Sequence, residues 1–210
     1  MPEDLGLKFH PKDYQQKLTH YNGHPYKNKP RPMLLNPNVL LLKYLNREAL
    51  IQLVVTTVLS RLDYCNSILS NISDKQFHRL QHVQNAVARL ILGKSKRDHV
   101  TPMLKELHWL PVKARCIYKL LVLAYRHFDG SLAPSLDKNL ETRIPTRVLR
   151  SSNERLLVVP SYELKSAGKR SFSVAAATHW NKLPHKLRHV TSLSTFKKHL
   201  KTFLFIEYLN

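Results

Sequence analysis

Between Asn46 and Gly93 apolar residues recur at the helical interval and never settle into strict alternation, which commits this stretch to helices before composition is considered. Leu50, Val54, Val58 and Leu62 fall on one face, with Ile51, Val55 and Leu59 beside them. Asn46 suits the N-cap, because its short side chain can accept from an early orphan N–H. The pattern predicts a helix ending near Ser70. Ser73-Asp74-Lys75-Gln76 reads as a capping box, each side chain satisfying a backbone N–H of the same turn. From there Phe77, Leu80, Val83, Val87, Leu90 and Ile91 form a second stripe, closed by Gly93 in the left-handed position. Two apolar faces on a short connector predict an antiparallel pair.

Further helices follow. Lys94-Ser95-Lys96-Arg97 is a basic connector, and Thr101-Pro102 opens a short helix to about Leu107, where proline's missing N–H is no loss. Pro111 opens a longer one to Phe128, with Val112, Ile117, Leu120, Leu121 and Ala124 inward and Gly130 at its end. Ala133-Pro134-Ser135 begins a short helix to about Leu140. Residues 141–163 change character. Ile144-Pro145 and Arg150-Ser151-Ser152-Asn153 read as loop, and Arg155 to Pro160 as a short β-branched strand that pairs with Arg170-Ser171-Phe172-Ser173 in a small hairpin. A helix over 173–181 carries Val174, Ala177 and Trp180 on one side. Ser192 or Ser194 caps the last helix, which buries Phe196, Leu200, Phe203 and Leu204.

Residues 1–43 differ. They hold six of the 12 prolines, interleaved with Lys, His, Asn and Tyr. That density forbids a long helix and disfavours central strands. The expectation is a disordered basic arm, a solvated tail whose Tyr14, Tyr21 and Tyr26 also suit stacking on exposed bases. The fold class is therefore mainly α: a small helical domain over 44–208 with a minor β-hairpin, preceded by the Pro-rich arm 1–43.

The charge selects partners. Thirty-four Lys and Arg face 14 Asp and Glu, a net +20. Such a balance attracts polyanions, nucleic acid first and an anionic membrane surface or an acidic protein after it. No acidic residue occurs from Leu164 to Ile206, where Lys165, Lys169, Arg170, Lys182, Lys186, Arg188, Lys197, Lys198 and Lys201 stand with four histidines. On the last helix Lys197, Lys198 and Lys201 face away from the apolar stripe. Lys94, Lys96 and Arg97 make a second patch. These twelve side chains are the candidate nucleic-acid contacts. Phosphate contacts position without reading bases, so the expected partner is RNA or DNA, largely independent of sequence.

Catalytic constellations are sparse. No Asp-Asp pair exists to hold the divalent metals of a polymerase. His78 and His82 have a zinc-ligand spacing, but no further ligands and no Glu after the first histidine, so they read as exposed helix residues. No Cys-x-x-Cys, Gly-rich phosphate loop or Gly-x-Ser-x-Gly appears. His108, beside Trp109, reads as a packed or capping histidine. No catalytic residue, metal site or cofactor is expected. Cys65 and Cys116 sit in helical patterns and are expected to be buried thiols of a reducing compartment. With no signal peptide and no apolar run of the ~20 residues that span a bilayer, a soluble cytoplasmic or nuclear protein is expected.

Several blocks carry a resemblance. They are Ser60-Arg61-Leu62-Asp63-Tyr64-Cys65-Asn66, Leu80-Gln81-His82-Val83-Gln84-Asn85-Ala86-Val87-Ala88-Arg89, Asp98-His99-Val100-Thr101-Pro102 and Leu107-His108-Trp109-Leu110-Pro111-Val112. Further on come Leu149-Arg150-Ser151-Ser152, Leu157-Val158-Val159-Pro160, Arg170-Ser171-Phe172-Ser173-Val174-Ala175-Ala176, Trp180-Asn181-Lys182-Leu183-Pro184 and Ser194-Thr195-Phe196-Lys197-Lys198. In this order the chain resembles, over about residues 44–205, the region downstream of the polymerase core in reverse transcriptases of non-LTR (LINE-like) retrotransposons. The resemblance implies an RNA-directed DNA polymerase in the intact family member. The blocks lie outside the catalytic motifs, and polymerase core and endonuclease are both missing here. The implied reading is a retrotransposon-derived, non-catalytic nucleic-acid-binding fragment. The alternatives are a helical scaffold for an acidic protein, or an unselected product of a decayed element.

Overall fold

Asn46 opens the first helix as its capping chemistry predicts: its side chain accepts from Ala49 N–H at 2.8 Å. The computed structural model describes residues 44–145, 154–163, 168 and 170–209, so the expected arm over 1–43 lies outside the described residues. Leu45–Asn210 is one unit, distinct from Met1–Tyr44. Helix α1 (Arg47–Val54) passes into a π-helical stretch, Val55–Leu59, and then into α2 (Ser60–Asp63). The π-helical stretch shifts the buried stripe. Leu50 and Val54 are buried as the period demands, but the next buried residue is Leu59 rather than Val58, and Val55 is exposed. The wider hydrogen-bond spacing of a π-turn accounts for this one-residue slip. The helix also ends before the expected Ser70: Cys65 turns left-handed at φ 49°, and Asn66–Leu69 continues as a 3-10 turn.

The capping box at Ser73 and Gln76 opens α3 (Asp74–Leu92), with Ser73 N–H donating to Gln76 Oε1 at 3.3 Å. Gly93, at φ 62°, closes it: Lys94 N–H reaches Arg89 O at 2.9 Å. Its buried face corrects the expected stripe. Val83 and Leu90 are exposed, while Gln84 and Ala88 are fully buried with Phe77 and Ile91. The reason is a polar clamp. Gln84 Nε2 donates to Leu110 O (2.9 Å), Gln81 Oε1 accepts Val112 N–H (2.9 Å), and Gln81 Nε2 donates to Gln84 Oε1 (2.9 Å). A buried glutamine is stable only when so satisfied.

Helix α4 (Val100–Glu106) leads to that clamped loop, and α5 (Val112–Phe128) leaves it. Helix α5 is the hub: Val112, Ala114, Cys116, Ile117, Leu120, Leu121, Val122, Ala124 and Tyr125 are all buried. The short α6 (Pro134–Asp137), α7 (Phe172–Asn181), α8 (His185–Arg188) and α9 (Leu193–Leu209) complete the described helices. Helices α7 and α9 pack directly on α5. The expected pairing of α1 with α3 is present as a contact, within a bundle centred on α5. Tyr125 stacks on Phe196 (4.4 Å) and Phe128 on Trp180 (5.0 Å), placing aromatic rings where α5, α7 and α9 meet.

Two further expectations are corrected. No hairpin forms between 155–160 and 170–173. Among the described residues the β structure is one antiparallel bridge, Thr142 to Leu157, and Phe172 already begins α7. A side-chain clamp holds the 155–157 segment: Trp180 Nε1 donates to Arg155 O (2.6 Å), and Asn181 pairs with both the N–H (2.9 Å) and the C=O (2.8 Å) of Leu157. Asn181 thus supplies the two bonds that a neighbouring strand would have offered. Cys65 is exposed, because it caps the 3-10 turn rather than lying inside a helix; Cys116 is buried as expected. Burial pushes the Cys116 thiol up to about 12, with the Asp63 charge acting in the same direction.

Candidate nucleic-acid interface

Helix α9 carries the last of the basic candidates, and its orientation follows from its own sequence. Phe196, Leu200, Leu204 and Leu209 are buried, which turns Lys198 and Lys201 outward to exposure and leaves Lys197 half-buried on the flank. Lys198 and Lys201 are three apart and so share one face. No ion pair among the described residues involves any of these three lysines. Lys94, Lys96 and Arg97 are all exposed on the turn after α3. Leu92 and Val100, which flank that turn, pack in one cluster with Phe205 and Leu209 of α9, so the turn and the C-terminal half of α9 are neighbours.

Arg170, Lys182 and Lys186 are exposed on and around α7 and α8. Lys182 has company: burial first, then the charges of Lys182 and Lys113, hold His179 below its ordinary value. Lys165 and Lys169 lie outside the described residues.

Arg188 is a correction. It is 6 % exposed, donates from Nε to Leu183 O (3.1 Å) and from a terminal nitrogen to Glu154 O, and pairs with the Glu154 carboxylate at 3.7 Å. A guanidinium committed in this way joins α8 to the 154–157 segment and is withdrawn from the surface where a phosphate would meet it. In sequence it looked like its lysine neighbours; the Glu154 carbonyl and carboxylate that claim its terminal nitrogens lie 34 residues back in the chain.

The structure adds a feature that charge counting missed. A cleft of about 380 Å³ opens beside α9, and among its lining residues are Asn66, His108, Trp109, Tyr118, Lys119 and Lys201. A second, of about 370 Å³, adjoins it and shares His108 and Lys201. The first cleft's only carboxylate, Asp63, is gripped by Arg115, whose Nε donates to Asp63 Oδ1 at 2.8 Å. That pair cancels, so Lys119 and Lys201 leave the cleft positive. Asn66 is 3 % exposed and donates to Asp63 Oδ1 (3.1 Å), while its own Oδ1 has no partner among the described residues.

His108 sits in the cleft rim for a backbone reason. Helix α4 ends as α3 and α5 do, with a residue in the left-handed region and an N–H reaching back five residues: Trp109 N–H to Leu104 O at 2.9 Å. Gly93 and Gly130 hold that position in α3 and α5; in α4 it is His108, at φ 52°. Of the packed or capping roles expected for His108, its backbone takes the closing position while its side chain is exposed rather than packed. Lys119 was missed in the sequence; the one signal for it is its place one turn beyond Arg115, at an exposed position of α5.

Among the described residues no three His, Cys, Asp or Glu side chains gather as a metal site, and His78 and His82 are both exposed. No helix of the described residues is long and apolar enough to cross a membrane. Comparison with protein-family models, with curated proteins and with solved structures gives no match.

Proposed function

We propose that this chain is a non-catalytic nucleic-acid-binding module, derived from the region downstream of the polymerase core in a non-LTR reverse transcriptase. The ordered blocks that resemble that family support the origin. One observation carries the binding reading: the acid-free segment ends in a helix whose apolar face is anchored in the core while Lys198 and Lys201 stand outward without ion-pair partners among the described residues. Lysines held this way displace condensed counterions from phosphates, so affinity should fall with salt at a log–log slope of roughly −0.9 per contact on duplex DNA and about −0.7 on single strands. Sequence preference is not implied.

The test is retention of labelled RNA and DNA at low and high salt. The expected result is strong retention at low salt that collapses as salt rises, with a shallower slope when Lys197, Lys198 and Lys201 are replaced together by Ala. Salt-insensitive retention, or none, would sink the reading and favour a scaffold for an acidic protein. Primer extension with Mg²⁺ on a primed RNA template should show no incorporation above a control without protein.

A further inference from the structure

We infer that the two adjoining clefts beside α9 take two successive unpaired nucleotides, with the linking phosphate on the rim formed by His108 and Lys201. This rests on the nucleic-acid reading above and narrows it to single strands. Four observations converge. The first cleft, at about 380 Å³, falls in the range of ligand sites, roughly 300–1,000 Å³, and is far too small for a duplex. Its wall combines Trp109 and Tyr118 with Lys119 and Lys201, the pairing of aromatic surface with cations that single-strand sites use to hold base and backbone together. Its one carboxylate is already neutralised by Arg115, so no repulsion opposes a phosphate. The second cleft continues past the shared rim onto Phe205 and Ile206, the latter 58 % exposed, a surface suited to the next base.

His108 gives an independent argument. At φ 52° it occupies a position where glycine is unstrained, and glycine does stand at the equivalent positions of α3 and α5. Keeping a side chain there costs stability, and the side chain that is kept lines both clefts. Strain at such a position points to use.

Fluorescence provides the readout. The chain has two tryptophans; Trp180 is fully buried in the core, while Trp109 lines the cleft. Titration with adenosine 5′-monophosphate and with short oligo(dA) should quench emission, and duplex DNA should not compete for that signal. Trp109→Phe, which keeps only the buried Trp180, should abolish the quenching and so assign the signal to the cleft. Lys119→Ala should weaken oligo(dA) binding and reduce its salt slope by about 0.7. His108→Gly should raise the denaturation midpoint while weakening binding, a combination that misfolding cannot produce.

Quenching that is unchanged in both Lys119→Ala and His108→Gly, or equal quenching by duplex, would overturn the inference. So would salt-sensitive filter retention without any quenching, which would leave the broader nucleic-acid reading standing. Loss of retention altogether would remove both.

Discussion

Helices α5 and α9 are each 17 residues long and each is amphipathic, yet they have opposite fates. Helix α5 buries nine residues, and the two cations of its first turn are claimed, Arg115 by Asp63 and Lys113 by Asp74 at 3.0 Å, while Lys119 one turn on is exposed at the cleft. Helix α9 buries four residues, and its three lysines have no ion-pair partner among the described residues. The difference lies in the number of neighbours rather than in the strength of either helical pattern. Helix α5 is enclosed by α3, α7, α9 and the Asn66–Leu69 turn, so nearly every side meets protein. Helix α9 lies at the edge and keeps one face for solvent. A lysine becomes available to a ligand when the fold brings no carboxylate to it.

The contrast is broken most strongly at the hub. Leu121 is 1 % exposed, and Leu121→Ala should cost about 2–5 kcal/mol through lost burial and the cavity left behind, measured by urea denaturation. A loss below about 1 kcal/mol would mean that the site collapses readily and that α5 is not rigidly enclosed.

Gln84 tests how the hub is started. Gln84→Ala leaves the Leu110 carbonyl without its side-chain donor and should cost about 1–3 kcal/mol. Gln84→Glu should be at least as damaging, since a carboxylate there presents an acceptor to an acceptor. A neutral result for both would remove the clamp from the account of how α5 begins.

His179, on α7 where it packs against α5, sharpens the comparison through pH. Burial, then Lys182, then Lys113 hold its folded value below the ordinary 6.5, so the folded state binds fewer protons than the unfolded state. Its stability cost is absent above that ordinary value and grows as pH falls beneath it, until the lowered folded value is reached. The denaturation midpoint should therefore drop between neutral and mildly acidic pH, and His179→Gln should flatten this part of the profile. An unchanged profile would show that the half-buried ring is hydrated when charged. The smallest effect belongs to α9: the lysine variant of the retention experiment should shift stability by no more than about 0.5 kcal/mol per residue while changing the salt slope.

The helical character, the caps at Asn46 and Ser73, and the closures at Gly93 and Gly130 were all legible in the chain, because each depends on residues within one or two turns. The basic face of α9 was legible for the same reason. The hairpin was misread because Arg155 to Pro160 has strand-like content, while its partner turned out to be the side chain of Asn181 and one bridge to Thr142. Val83 was misassigned to the core and Gln84 missed, because the carbonyl and N–H that draw the glutamines inward belong to residues about thirty positions away. Arg188 was misread as a phosphate contact for the same kind of reason, its acceptors on Glu154 being unseen from its own neighbourhood.

By itself the sequence determined a helical chain with an unopposed positive segment, since helical period, capping and charge are properties of near neighbours. Only the tertiary structure decided which cations remain accessible, that Trp109, Tyr118, Lys119 and Lys201 share one cleft, and that α5 is the centre. Those outcomes depend on which distant groups meet, and a pairing across thirty residues leaves no periodic mark in the chain.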